Sequence, residues 1–183
     1  NTAMGSDGDA NGSGERDAFD DQFVEFYNTS NSTALDLSGY EHFDEDVFGT
    51  GLVRHTFPDG TVVPPGESIV VFGGGTPSED IPGVVQTAST GRLSLANAGD
   101  SFTLRNPYDM EIITFTYQGQ VAGESKTRDP EFTGDFVAHT DVAPDELFSP
   151  GRTAVGNPLP VELIAFSGQV TDETARLRWE SAS

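Results

Sequence analysis

The sequence predicts an all-β sandwich, because short apolar stretches alternate with turn-forming residues along most of the chain. Five stretches have the length and apolar content of strands: 22–28, 52–57, 68–72, 101–105 and 112–117. They are separated by turn signals such as Pro58-Asp59-Gly60 and Asn106-Pro107. Short strands with frequent turns of this kind are typical of β-sandwiches. No stretch of convincing length has the apolar period of a helix.

Residues 1–21 form an acidic segment ahead of the first strand. The segment is rich in Gly, Asp and Asn and has almost no apolar content, so it needs something to organise it. Residues 9–20 have the pattern D-x-N-x-S-G-x-x-D-x-x-D, with oxygen donors at loop positions 1, 3, 5, 9 and 12 and Gly at position 6. This spacing suits calcium, because alternate side chains of a calcium loop point inward and a later carboxylate closes the shell. The predicted metal ligands are Asp9, Asn11, Ser13, Asp17 and Asp20.

Two alternatives to this calcium loop remain open. A frame that starts at Asp7 puts Ala18 at the closing position, so the frame from Asp9 is preferred. The whole segment is alternatively a solvated acidic linker, because the chain contains 17 Asp and accidental matches are therefore frequent.

Long loops are predicted at 41–51 and 73–91. The first contains His42 next to several carboxylates, a combination that can hold a transition metal, but a solvated loop is the expected role. The second begins with Gly73-Gly-Gly75, which lacks the following Lys and the helix of a phosphate-binding loop and is therefore a turn. His55 lies in the predicted strand at 52–57, and His139 follows Phe136-Val137, so both are expected to be outward-facing or hydrogen-bonded rather than ligands.

The clearest strand pattern lies between the second long loop and the C-terminal region. Ile113, Phe115 and Tyr117 alternate with Thr114 and Thr116. Successive side chains of a strand point to opposite faces, so this pattern predicts a half-buried strand with the large residues on one face.

Residues 158–183 predict a C-terminal β-hairpin, because apolar residues alternate with polar ones on both sides of a Thr-Asp-Glu-Thr turn at 171–174. An isolated hairpin is marginally stable in water. It is therefore expected to dock on the first domain, to pair with a second copy in a homodimer, or to begin a further, truncated domain. The predicted divisions are an acidic segment at 1–21, a sandwich at 22–157 and the hairpin at 158–183.

The charge of the chain restricts its partners. Acidic residues number 30 against 9 basic ones, the net charge is -21, and Lys126 is the only lysine. Such a surface repels phosphate backbones and acidic lipid headgroups, so no nucleic-acid partner is expected, and no stretch is apolar enough to predict a membrane span. Acidic residues distributed along the whole chain, together with a single lysine, favour adaptation to strong brine. A calcium-rich extracellular role is the alternative explanation.

The chain has no cysteine, which excludes disulfides and thiolate metal sites.

Five blocks in order resemble the lamin tail domain family: 23–28, 35–40, 63–72, 99–106 and 124–130. The resemblance implies an immunoglobulin-like β-sandwich with long loops, acting as a non-catalytic accessory module of a secreted or cell-surface bacterial protein. The region from Leu159 resembles the start of a fibronectin-type region. We therefore expect a calcium-stabilised structural or adhesion module, located outside the cell or on its surface, that attaches to a protein or surface polymer. The alternative is a carbohydrate- or protein-binding module of a secreted enzyme, without a metal and with its site in the long loops.

Overall fold

The computed structural model describes residues 8–119, 123–159, 163–171 and 174–181. Its strands are β1 (Phe23–Tyr27), β2 (Leu35–Asp36), β3 (Glu41–Phe43), β4 (His55–Thr56), β5 (Val62–Val63), β6 (Ser68–Phe72), β7 (Val84–Thr87), β8 (Gly99–Arg105), β9 (Glu111–Gln118), β10 (Lys126–Asp129), β11 (Asp135–Ala138), β12 (Leu163–Thr171) and β13 (Thr174–Ser181). The one helix in these ranges is α1 (His139–Val142). The all-β prediction is confirmed. In these ranges no helix has the length and apolarity needed to cross a membrane.

Two sheets form the sandwich. One has the strand order β1-β6-β7 and the other β4-β3-β8-β9. All neighbouring strands are antiparallel except β6 and β7, which are parallel. Three two-stranded ladders, β2-β5, β10-β11 and β12-β13, complete the strand pairing of the described residues.

The main core lies between the two sheets. Ile69 and Val71 of β6 pack with Phe102 and Leu104 of β8 in one buried cluster. Phe26 of β1 packs against the same cluster, and its ring centroid lies 5.4 Å from that of Phe102. Side chains that alternate along β6 and β8 therefore fill the space between the sheets.

Strand β6 is buried on both faces, which explains why its sequence is a continuous apolar run. Val70 and Phe72 point away from the main core into a second cluster. Ala10 from the N-terminal acidic segment belongs to this cluster. Phe148, which lies far from Ala10 in sequence, packs against the same cluster. The outer face of the β1-β6-β7 sheet is thus covered by segments that flank the sandwich in sequence.

The structure corrects three details of the predicted elements. The predicted loop at 41–51 contains β3, which pairs with β4 on one side and β8 on the other. The predicted loop at 73–91 contains β7, which pairs in parallel with β6. The predicted strand at 52–57 shortens to β4, and Leu52 is exposed. Strands β3 and β7 have three and four residues, so their pairing with longer neighbours decides their structure.

The segment 123–159 packs against the sandwich. The ring of Phe132 stacks on Tyr27 of β1 with a centroid distance of 3.9 Å. The backbone N–H of Gly151 donates to Glu25 Oε1 of the same strand at 3.2 Å. Residues beyond β9 therefore complete one side of the β1-β6-β7 sheet.

The predicted C-terminal hairpin is present. Strands β12 and β13 are antiparallel, from Leu163 opposite Ser181 to Thr171 opposite Thr174. Turn residues 172 and 173 lie outside the described residues. Docking of the hairpin, its pairing in a homodimer and its place in a fibronectin-type region stay predictions.

Candidate functional sites in the acidic loop and beside strand β9

The first half of the acidic loop curls around Asp9. Its carboxylate accepts hydrogen bonds from the backbone N–H groups of Ser13 at 2.9 Å and Gly14 at 2.7 Å. The Ser13 hydroxyl lies 3.4 Å from Asp9 Oδ1, and Asn11 Oδ1 accepts the Ser13 N–H at 2.9 Å. The structure therefore brings together three of the predicted calcium ligands, Asp9, Asn11 and Ser13.

The second half of the loop is organised by Asp17. Its Oδ1 accepts hydrogen bonds from the backbone N–H groups of Phe19 at 2.8 Å and Asp20 at 3.1 Å. These hydrogen bonds lower the pKa of Asp17. Asp17 and Asp20 are thus neighbours, whereas no hydrogen bond among the described residues joins the side chain of either to Asp9 or Ser13.

Asp21, which the sequence analysis did not select, joins the two halves. Its Oδ1 accepts the backbone N–H of Asn11 at 3.0 Å, and its Oδ2 accepts that of Asp17 at 2.7 Å. Asp21 is fully buried, and this burial raises its pKa, with the charge of Asp9 acting in the same direction. The available signal was its position between the last predicted ligand and the first strand. In the described residues, no three His, Asp or Glu side chains group closely enough to hold a metal ion.

The acidic loop is attached to the segment that follows β6. The backbone N–H of Ser78 donates to the Asn11 carbonyl at 2.7 Å, and that of Gly73 donates to the Gln22 carbonyl at 2.7 Å. A Cβ atom on Gly73 would lie 1.9 Å from the carbonyl oxygen of Phe19, so the two backbones are in direct contact. The Gly-rich turn predicted at 73–75 is therefore a docking surface for the acidic loop.

His42 is buried, and the prediction that it lies in a solvated loop is wrong. Its ring stacks on Phe102 at 4.3 Å, and neither ring nitrogen has a hydrogen-bond partner within the described chain. Burial lowers the pKa of His42 to about 3. The nearby carboxylate of Asp44 is also buried and forms a salt bridge with Arg54 at 2.8 Å.

The other two histidines are hydrogen-bonded, which was one of the two expectations, but both are buried rather than outward-facing. His55 Nε2 lies 3.1 Å from Gln86 Oε1. His139 Nε2 donates to the Ala154 carbonyl at 2.9 Å, so its Nδ1 accepts the Ser125 hydroxyl at 3.0 Å. Although Ser125 and His139 resemble a nucleophile and base, both side chains are buried, and burial lowers the pKa of His139.

A groove of about 540 Å³ lies between β9 and the β10-β11 hairpin. Strand β9 contributes residues 115–118 to its lining, β10 contributes Lys126 and Arg128, and β11 contributes Asp135 and Phe136. The sequence did not predict this groove, because its pattern favoured a binding surface in the long loops. The available signal was Lys126, the only lysine of the chain.

Aromatic contacts fix the inner wall of this groove. The ring of Phe115 lies 6.1 Å from that of Tyr117 and 4.1 Å from that of Phe136. The guanidinium group of Arg128 lies 4.1 Å from the centre of the Phe136 ring and donates to the Gly134 carbonyl at 2.7 Å. One hydrogen bond and one cation–π contact therefore hold Arg128 in place, with other donor N–H groups left for a ligand.

A second groove, of about 720 Å³, lies beside β7 and the segment that follows β6. Its lining includes His55, Glu79 and Gln86, and no Lys or Arg among the described residues. This groove is the part of the predicted 73–91 loop in which a binding surface was expected. It has no cationic or aromatic feature comparable to the groove beside β9.

Comparison with known protein families gives one match. The family model described as Lamin Tail Domain matches residues 4–119. No match was found among curated proteins or among solved structures. The matched range includes the acidic loop and both sheets of the sandwich up to the end of β9.

Proposed function

Because the chain belongs to the lamin tail domain family, we propose that it is a structural and attachment module of a secreted or cell-surface protein, stabilised by calcium at its acidic loop. The family is one of immunoglobulin-like domains, in agreement with the all-β sandwich of two facing sheets and with a non-catalytic module. Neither the secretion nor the metal follows from family membership, so each needs its own support.

The arrangement of Asp9, Asn11 and Ser13 carries the calcium proposal. Their oxygen atoms lie together on a curled loop whose ends are anchored by Asp21 and by the residues after β6. Oxygen-rich loops of this type suit calcium, a hard cation. An ionised carboxylate offers about four lone-pair sites, and Asp17 uses its Oδ1 for two N–H groups, so acceptor sites remain.

The acidic surface supports a location outside the cell. With Ser13 as a donor in place of a carboxylate, we expect an affinity in the weak range of extracellular calcium modules, with a dissociation constant of about 10⁻⁴ to 10⁻³ M. Sites of this strength fill only where free calcium is abundant. A net charge of -21 also raises the local concentration of divalent cations around the protein.

Thermal melting tests the calcium proposal. The chain is melted at constant molar sodium chloride, first with a chelator and then with calcium at about 10 to 100 mM, which is about 100 times the expected dissociation constant. Saturation at 100 times the dissociation constant adds about 2.7 kcal/mol, which for a domain of this size raises the melting temperature by roughly 5 to 11 °C. The Asp9→Ala/Asp17→Ala double variant is expected to lose this rise.

The matched control is Asp59→Ala/Asp141→Ala, which removes two exposed carboxylates outside the loop. It is expected to keep the calcium-dependent rise. An unchanged melting temperature of the native chain in calcium would show that the loop is held by its own hydrogen bonds alone, and the calcium proposal would then be wrong.

The groove beside β9 favours a second role, the alternative of a ligand-binding accessory module. It combines three aromatic rings with two cationic side chains in a chain that has few cations. Such a combination is characteristic of a binding surface rather than of core packing.

A further inference from the structure

We propose that β9 is a docking edge for an extended, acidic segment of a partner protein, which adds to the β4-β3-β8-β9 sheet as a fifth strand and fills the groove beside β10. This inference deepens the attachment role proposed above. It does not depend on calcium, so the melting experiment and the binding experiment can fail separately.

The position of β9 in the sheet supports the proposal. It is eight residues long and lies at the edge of its sheet in the described part of the chain. The peptide groups on the outer side of an edge strand have no ladder partner, and an extended segment that adds to the sheet can satisfy them. Backbone hydrogen bonds then supply affinity, and side-chain pockets supply specificity.

The lining of the groove shows that it runs along this edge. Residues 115–118 are consecutive, and successive side chains of a strand point to opposite faces of the sheet. The groove contacts all four of these residues, and β10 and β11 line its opposite side. It therefore runs along the stretch of β9 that an added strand would follow.

Exposed apolar side chains extend the surface away from the groove. Tyr108 and Met110 in the β8-β9 turn, followed by Ile112 and Ile113 of β9, are all among the exposed large apolar residues. Ile113 pairs across the sheet with the buried Leu104 and so lies on the core-facing side, yet it is 47% exposed. Among the described residues nothing covers this stretch, so a ligand with apolar side chains is expected to bury it.

The charge of the groove selects an acidic ligand. Lys126 and Arg128 line it, and neither forms a salt bridge with a described residue. Asp135 is the one carboxylate in the lining, and the one carboxylate of β9, Glu111, lies 3.5 Å from Arg105. The lining therefore carries two cations against one carboxylate on a protein of net charge -21, and these two cations favour a partner segment with carboxylates.

A peptide fits these observations better than an anionic polysaccharide. A sugar chain could stack on the aromatic rings, but it cannot pair with a strand edge. Nor do Ile112 and Ile113 offer the flat surface on which sugars stack. A second copy of β9 would bring one carboxylate, Glu111, so it matches the two cations poorly.

The test is selection from a phage-displayed library of linear peptides with random sequence, with the complete chain as bait at physiological ionic strength. Enriched peptides are expected to have apolar and acidic residues at alternate positions. Their dissociation constants are then measured by fluorescence anisotropy. The Lys126→Glu/Arg128→Glu variant is expected to weaken binding by at least about tenfold, the effect of losing 1.4 kcal/mol.

Two controls make the outcome specific. Arg92→Glu/Arg152→Glu changes the net charge equally but affects cations outside the groove, and it is expected to leave binding within about twofold, which corresponds to a few tenths of a kcal/mol. If the first double variant melts early, Lys126→Glu alone replaces it. Peptides methylated on alternate backbone nitrogens keep their charge but cannot pair as a strand, and they are expected to lose binding.

The proposal would be overturned by a library that yields no enriched acidic peptides. It would also be overturned by equal loss of affinity in both double variants, or by full affinity of the methylated peptides. Binding of polygalacturonate in place of any peptide would assign the groove to an anionic polysaccharide instead.

Discussion

Two carboxylates near the start of the chain connect different segments, the fully buried Asp21 and the half-buried Glu25. Asp21 joins the two halves of the acidic loop through the N–H groups of Asn11 and Asp17. Glu25 connects β1 to the segment 123–159 through the N–H of Gly151. Each carboxylate stabilises the fold by accepting backbone N–H groups, because an unpaired buried N–H costs about 1–3 kcal/mol.

Glu25 is expected to make stability depend on pH. Burial raises the pKa of Glu25 to about 7, from an unfolded value near 4.5. Between these values the folded state holds a proton that the unfolded state has lost, so this contribution to stability is complete below pH 4.5 and disappears as pH rises through 7. Glu25→Gln keeps an acceptor for Gly151 without the charge. It should raise the free energy of unfolding by up to about 3 kcal/mol at pH 8 and by less than about 1 kcal/mol at pH 5.

Urea denaturation at both pH values measures this difference. The matched control is Glu79→Gln, which removes an exposed carboxylate and should change stability by less than about 0.5 kcal/mol at either pH. Equal effects of the Glu25 substitution at pH 5 and pH 8 would contradict a charged, half-buried Glu25.

Single residues were predictable from sequence where local pattern decides their role. His55 lies in a predicted strand and His139 follows Phe136-Val137, and both are hydrogen-bonded, which was one of the two expectations. The roles of Asp21 and of Lys126 were not predictable, because they depend on segments brought together by the fold. His42 was misjudged for the same reason, since its acidic neighbours in sequence suggested a solvated loop while its ring packs on Phe102.

At the scale of elements, the strands that build the core were predicted because burial leaves a pattern. Strands β1, β6 and β8 have apolar alternation or continuous apolar runs. Strand β9 also alternates, but its residues are half-buried or exposed. Strands β3 and β7 have three and four residues, too few to show such a pattern, and each forms by pairing with a longer neighbour. Such pairings join residues far apart in sequence, so the local pattern carries no signal for them.

The attachment of the acidic loop to the turn after β6 requires glycine at position 73. A Cβ there would meet the backbone carbonyl of Phe19 at 1.9 Å, and backbone atoms cannot move aside as a flexible side chain can. We expect Gly73→Ala to detach the loop from the sheet. Exposure of the cluster around Ala10 should lower the free energy of unfolding by about 1–3 kcal/mol, and amide hydrogen exchange at residues 9–21 should become faster.

Gly74→Ala is the matched control for this prediction. Its nearest atom within contact range is Oδ1 of Asp20, the end of a side chain that can rotate away. The substitution should therefore cost less than Gly73→Ala and leave the exchange of the loop nearly unchanged. If the amide hydrogens of residues 9–21 exchange at the same rate in both variants, the backbone contact at Gly73 does not hold the loop in place.

At the scale of the whole molecule, the core between the two sheets was predictable from the sequence. The second cluster, on the outer face of the β1-β6-β7 sheet, was not. The chain length and the apolar strands indicated a single sandwich core, and Ile69, Val71, Phe102 and Leu104 form it. The second cluster joins Ala10 and Phe72 with Phe148, which is far from both in sequence. Neither the acidic segment nor the stretch around Phe148 has an apolar pattern strong enough to predict that contact.

The distribution of charge over the whole molecule leads to the last prediction, that stability rises with salt concentration. The net charge is -21, and self-repulsion of this size opposes a compact state. Sodium chloride shortens the screening length from about 10 Å at 0.1 M to about 3 Å at 1 M. We therefore expect the melting temperature to rise by several degrees from dilute buffer to molar sodium chloride, and partial unfolding in the absence of salt.

Salt also stabilises proteins by effects unrelated to charge, and a neutralised variant separates the two causes. Converting four exposed carboxylates to amides, at Asp59, Glu79, Asp80 and Asp141, lowers the repulsion without touching the core or the acidic loop. If repulsion governs stability, this variant melts higher than the native chain in dilute buffer, and the two converge in molar salt because screening removes their difference. If the melting temperatures of both proteins instead rise equally with salt concentration, the stabilisation comes from exclusion of salt from the protein surface. The acidic residues would then serve solubility or cation binding.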